Sequence, residues 1–138
     1  MPLIWPVMVH IALVFLLLLA TGSRRYRSAA SGEVKIPEVA LSNTAWPDGV
    51  RKIANNLNNQ FETPIMFYAL CAIGIYIGQT GFLMQAFAWG FIASRLAHSA
   101  IHVTTNVVMY RFYAFLCGVV CLVAMWALIL IRLLAAVG

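Results

Sequence analysis

Apolar runs long enough to cross a bilayer constrain this chain more than any other feature. The first, LIWPVMVHIALVFLLLLA, fills residues 3–20. Three more run from Phe61 to about Gly78, from Phe82 to about Val103, and from about Phe112 to Val137. A run of about 18 or more apolar residues reads as a transmembrane helix, and these four use up most of the 138 residues. The chain is 63% hydrophobic and 9% charged. Soluble domains carry about 25% charged residues, so a soluble enzyme and a separate soluble domain are both excluded. The expected fold is all-α: one integral membrane four-helix bundle over 1–138, with spans at about 3–20, 55–78, 82–104 and 111–136.

The flanks give the direction. Span one has no basic start, and its charges follow it as SRRYR, the reverse of a secretory signal peptide. Arg24, Arg25 and Arg27, with Lys35, Arg51 and Lys52, make the 21–50 connection basic. The GQTG turn between spans two and three has no charge. The positive-inside bias therefore puts the 21–50 loop in the cytoplasm and both termini outside. Arg132 opposes this, but a long side chain at a helix end can snorkel to the interface. The net charge of +5 needs no nucleic-acid partner, because span-flanking cations face an anionic lipid leaflet.

Ionisable groups inside spans cost about 2.5–3.5 kcal/mol each on insertion scales, so they face the interior and are functional by default. On span two, Asn55, Asn59 and Glu62 fall on one helical stripe, with Asn58 beside them. On span three, Arg95, His98 and His102 form another, and Arg111 opens span four. Counting from the GQTG turn at about 1.5 Å per residue puts Glu62 roughly 25 Å deep, Arg95 roughly 21 Å, His98 about 25 Å and His102 about 31 Å. The stripes share a level in the cytoplasmic half and can line one cavity. Pro64, which cannot donate to the Gln60 carbonyl, is expected to bend the helix beside them.

Several chemistries compete for these residues. Glu62 and Arg95 alone would serve as a structural ion pair, with the asparagines bonding between helices. The excess of Arg51, Lys52, Arg95 and Arg111 over one carboxylate points instead to a bound anion. A metal held by His98, His102 and Glu62 is disfavoured by the neighbouring arginine; none is expected. His10, nearer the outer face, is read as a bundle-facing histidine without a role. Cys71, Cys117 and Cys121 read as small core residues, and no serine–histidine–acid triad is arguable.

The combination NNQFETP before span two, RLAHSAIH in span three and Arg111 resembles the MAPEG family, the membrane-associated proteins in eicosanoid and glutathione metabolism. The resemblance runs from about Trp46 to Trp126 and is nearest to short bacterial members. It implies a homotrimer in a bacterial inner membrane, binding glutathione between subunits in the cytoplasmic half. It also implies transferase or peroxidase activity on a lipophilic co-substrate entering from the bilayer.

By position, Asn59 and Glu62 match residues that hold glutathione's polar groups, Arg95 and His98 the helix-three motif, and Arg111 the arginine near the thiol. Glu62 would take the ammonium, while Arg51, Lys52 and Arg95 would meet the carboxylates. The chain departs from several glutathione-using relatives at Asn58, His102 and Phe112, where they carry arginine, tyrosine and serine. The alternative on the same fold is a non-catalytic protein that binds lipid or another anion.

Overall fold

A computed structural model describes residues 2–137, and their regular structure is helical throughout. Helix α1 spans Ile4–Ala30, α2 Ile36–Leu41, α3 Asp48–Asn59, α4 Thr63–Tyr76, α5 Phe82–Val103 and α6 Val108–Val137. A single 3₁₀ turn, Asn43–Ala45, sits between α2 and α3. It is held by the Ser42 hydroxyl, which accepts from the Thr44 backbone N–H at 3.2 Å.

Two features differ from the expected organisation. The first helix does not stop at residue 20. Its 27 residues, about 40 Å at helical rise, carry SRRYR onward as helix, and most of the 21–50 connection is likewise structured. The second is at Pro64, where the chain breaks rather than bends. Without a proline N–H the Gln60 carbonyl has no helical donor, and α3 ends in a tight turn. There Gln60 N–H donates to Leu57 O and Phe61 N–H to Asn58 O, each at 2.9 Å. Glu62 leaves helical geometry at φ −91°, ψ −95°, and α4 restarts with Pro64 in its first turn, where a missing N–H costs nothing.

Two helices, α1 and α6, are long and apolar enough to cross a membrane by length and composition. The 14 residues of α4 reach only about 21 Å, short of the roughly 30 Å hydrocarbon core. Helix α5 has 22 residues but carries Arg95, His98 and His102.

The core gathers Leu3, Phe67, Met84, Phe91, Ile92 and Met125, all buried. Phe67 stacks on Phe91 at 4.6 Å between ring centroids. Helix α5 lies most extensively against α6, and two glycines allow it. A Cβ on Gly90 would stand 3.0 Å from Cys121 Sγ, and one on Gly118 only 2.6 Å from Ser94 Oγ. Outward, Trp5, Phe15, Leu19, Tyr76 and Leu134 are all more than half exposed. Such a continuous apolar exterior suits lipid and not water.

Candidate functional site

The polar residues fall into two groups, a buried network and an open cleft, that share α3. The inner group uses Asn56, in the last turn of α3, and Gln60, which caps the helix; both are buried. Gln60 Oε1 accepts from Arg95 Nε and from one of its terminal nitrogens, each at 3.2 Å, and lies 3.1 Å from His10 Nε2. Gln60 Nε2 donates to Ser99 Oγ at 3.0 Å and to the Asn56 carbonyl at 3.2 Å. Ser99 in turn donates to Asn56 Oδ1 at 3.1 Å. His10 Nδ1 is 2.6 Å from the Tyr68 hydroxyl. One amide side chain thereby joins α1, α3 and α5.

Arg95 belongs to this inner group. It is 2% exposed and donates to the Asn59 carbonyl at 2.7 Å, one of the backbone acceptors left free where α3 ends. A buried guanidinium needs its N–H groups satisfied, and here neutral oxygens satisfy them. Glu62 does not: it is exposed, and no ion pair joins it to Arg95 among the described residues. His10, read from sequence as a histidine without a role, is a full member of the network. Asn56, Gln60 and Ser99 were missed. Their signal was present, since Asn56 and Gln60 are one turn apart in the same polar run as Asn55 and Asn59.

The outer group forms an open cleft of about 300 Å³ between α3 and the α5–α6 turn. Arg51, Lys52 and Asn55 line one wall, His102, Asn106 and Arg111 the other, with Asp48 at the rim. Arg51 donates to Asp48 at 3.2 Å. Asn106, also missed, adopts φ 53°, a left-handed conformation that asparagine tolerates well. In that conformation it turns α5 into α6 and accepts from Arg111 at 2.9 Å through Oδ1.

A second hollow of about 220 Å³ adjoins it, lined by Asn59, His98, Arg111, Phe112 and Phe115. Arg111 is common to both. The His98 ring is fixed by its Nδ1, 3.1 Å from the Arg111 carbonyl; a carbonyl oxygen can only accept, so Nδ1 carries the N–H in this bond. Three buried polar atoms here find no partner among the described residues: His98 Nε2, His102 Nδ1 and Arg111 Nε.

Of the ten residues expected at the site, Arg51, Lys52, Asn55, Asn59, His98, His102 and Arg111 therefore meet along these two hollows. Arg95 lies behind them, Glu62 stands exposed at the start of α4, and Asn58 lines a different cleft, facing Arg25. Among the described residues, no three His, Cys, Asp or Glu side chains gather as a metal ion would require.

Neither the curated proteins nor the solved structures give a match to this chain. A family profile does, across residues 3–131, which takes in every residue of both groups. The chain is thus a membrane protein of the glutathione- and eicosanoid-related kind, and it belongs to the MAPEG family.

Proposed function

We propose that this protein binds glutathione, or a closely similar anionic thiol, in the paired hollows around Arg111, and uses it as a transferase or peroxidase on lipophilic substrates. The observation that carries the reading is the cleft's charge balance. Arg51, Lys52 and Arg111 face one carboxylate, Asp48, beside three buried polar atoms that no group among the described residues satisfies. Buried polar atoms normally have partners, and a ligand with two carboxylates, an ammonium and a thiol complements this set.

Arg51 and Lys52 meet the carboxylates. Arg111, reaching both hollows, stabilises the thiolate, which lowers the thiol pKa and supplies the nucleophile. Asp48 is the carboxylate within the cleft, and Glu62 the one that the family pattern selects, so Asp48→Asn and Glu62→Gln should separate in glutathione affinity. Phe112 and Phe115 give the second hollow an apolar wall, where a lipophilic substrate meets the thiol. The proposal includes a homotrimer of four-helix subunits in a bacterial inner membrane. Both termini lie outside, and the cleft opens to the cytoplasm.

The test is glutathione titration of the detergent-purified protein, read by calorimetry and by ultraviolet thiolate absorbance. Arg111→Ala should abolish the thiolate signal and lower any transferase rate by about 10²–10³-fold, the scale of losing one charge-stabilising donor. Absence of both glutathione binding and a thiolate signal in the wild-type protein would leave a non-catalytic lipid- or anion-binding protein as the better reading.

A further inference from the structure

Arg111 borders both hollows, and its charge is useful to a thiol only if it is held in one place. An arginine side chain is long and rich in rotamers, so something has to hold it. Among the described residues its guanidinium makes one bond, from a terminal nitrogen to Asn106 Oδ1 at 2.9 Å. Its Nε is buried and has no partner there. The planar fork is therefore tied at one end and unspent at Nε.

Asn106 is itself firmly placed. It stands between α5, which ends at Val103, and α6, which starts at Val108. Its φ of 53° is costly for most side chains and mild for asparagine. Its backbone N–H donates to the Ile101 carbonyl at 2.7 Å, and Thr104 N–H in the same turn donates to the Ala100 carbonyl at 3.1 Å. At the other end, His98 Nδ1 donates to the Arg111 carbonyl at 3.1 Å, which fixes that backbone too. A guanidinium can only donate, so the amide of Asn106 turns its oxygen and not its nitrogen toward Arg111.

That the residue is asparagine and not aspartate matters. Aspartate also tolerates the left-handed conformation and would hold the guanidinium more tightly through a charge-assisted bond. It would cancel the charge as well. Arg51, in the same cleft, has such a partner, since it donates to Asp48 at 3.2 Å. No carboxylate pairs with Arg111 among the described residues. The other titratable groups around it, Lys52 and His102 in the cleft and His98 in the second hollow, bring no negative charge. A neutral acceptor fixes the cation and leaves its charge for an anion.

We propose that Asn106 is a positioning residue for the thiol chemistry. Its side-chain oxygen holds the Arg111 guanidinium where the two hollows meet, and its neutrality keeps that cation uncompensated for a thiolate. Asn106 has this role only if the hollows take glutathione or a similar thiol, as proposed.

The experiment is a pH titration of thiolate absorbance with glutathione bound to the full chain in detergent, with affinity read by calorimetry below the ionisation midpoint. Asn106→Gly keeps the left-handed turn, which glycine adopts freely, and loses only the oxygen. The midpoint should then rise by about one pH unit, because the thiolate loses a directed cation. Affinity should change little, as Arg51 and Lys52 are untouched. Asn106→Asp keeps both turn and bond, yet should raise the midpoint at least as far by compensating Arg111. Thr104→Ala removes an exposed hydroxyl that donates to the Ala100 carbonyl at 2.7 Å in the same turn, and should leave the midpoint in place. Circular dichroism establishes that each variant is folded; if Asn106→Gly is not, Asn106→Asp decides alone. An unmoved midpoint in Asn106→Gly, an unmoved or lower one in Asn106→Asp, or an equal rise in Thr104→Ala overturns the role of Asn106 and leaves the glutathione reading standing. No thiolate signal in the wild-type protein overturns both, so the unmutated chain tells the two failures apart.

Discussion

Gln60 carries more of this molecule than its type suggests. It is buried at the point where proline ends α3, and its single oxygen faces both Arg95 and His10. Removing an acceptor from a buried cation costs more than the bond itself, because the charge stays behind without solvent. Gln60→Leu is therefore expected to destabilise the protein by about 3 kcal/mol or more, measured as loss of thermal stability in detergent. Gln60→Glu keeps the acceptor for Arg95 while losing the donors to Ser99 and Asn56, and should cost less. If the two variants unfold alike, Arg95 does not depend on this side chain. The same geometry separates two arginines that look equivalent in sequence. Arg95 spends its N–H groups inside the protein, whereas Arg111 keeps a buried Nε unused at a cleft.

At the scale of elements, the α5–α6 pair is set by the absence of side chains. Gly118→Ala would place a methyl 2.6 Å from Ser94 Oγ and 3.5 Å from the Phe91 ring. Ser94 is held in place by its bond to the Phe91 carbonyl at 2.6 Å. Overpacking of this kind costs about 1–3 kcal/mol, and because His98 and Arg111 sit on these two helices, glutathione affinity should fall with stability. Ser94→Ala should restore part of both, since the serine oxygen is the nearest obstacle. No rescue in the double variant would place the conflict at Phe91 instead.

These elements also show what the sequence made legible. The apolar runs located the long helices, and the cations of the outer cleft were named from spacing and family resemblance. Spacing could not say which side of α3 faces inward, because Asn55–Asn59 and Asn56–Gln60 are equally good helical pairs in one polar run. Burial decided it: Asn56 and Gln60 turned in and Asn55 outward. Nor could spacing show that Pro64 ends a helix and starts another. Proline is compatible with a kinked helix as well as with a first turn, and the choice depends on Arg95 and Gln60 satisfying the broken end.

For the whole molecule, the governing asymmetry is that cations collect at one end. Arg25 stacks on Trp46, Arg51, Lys52 and Arg111 share a cleft, and Arg24 lies near Gly49 at the start of α3. The turn at the opposite end, Gln79–Gly81, has no charge, and Arg132 near the end of α6 is the cation that opposes the pattern. Each cation is costly to carry across a bilayer, so in the proposed orientation the uncharged turn is the end that crosses. The proposed orientation can be read by labelling in a chain whose Cys71, Cys117 and Cys121 are replaced by alanine. Gly81→Cys is a suitable outer probe, because a Cβ there meets nothing within 4 Å; Glu33→Cys, also exposed, is the inner one. A membrane-impermeant maleimide added to intact cells should label the Gly81→Cys variant at once and the Glu33→Cys variant only after lysis. The reverse pattern would invert the orientation and place the Arg111 cleft outside, away from the cytoplasmic glutathione it is proposed to bind. Equal labelling from both sides would mean that the cation asymmetry does not orient this protein, and that its end-to-end charge difference serves the ligand sites alone.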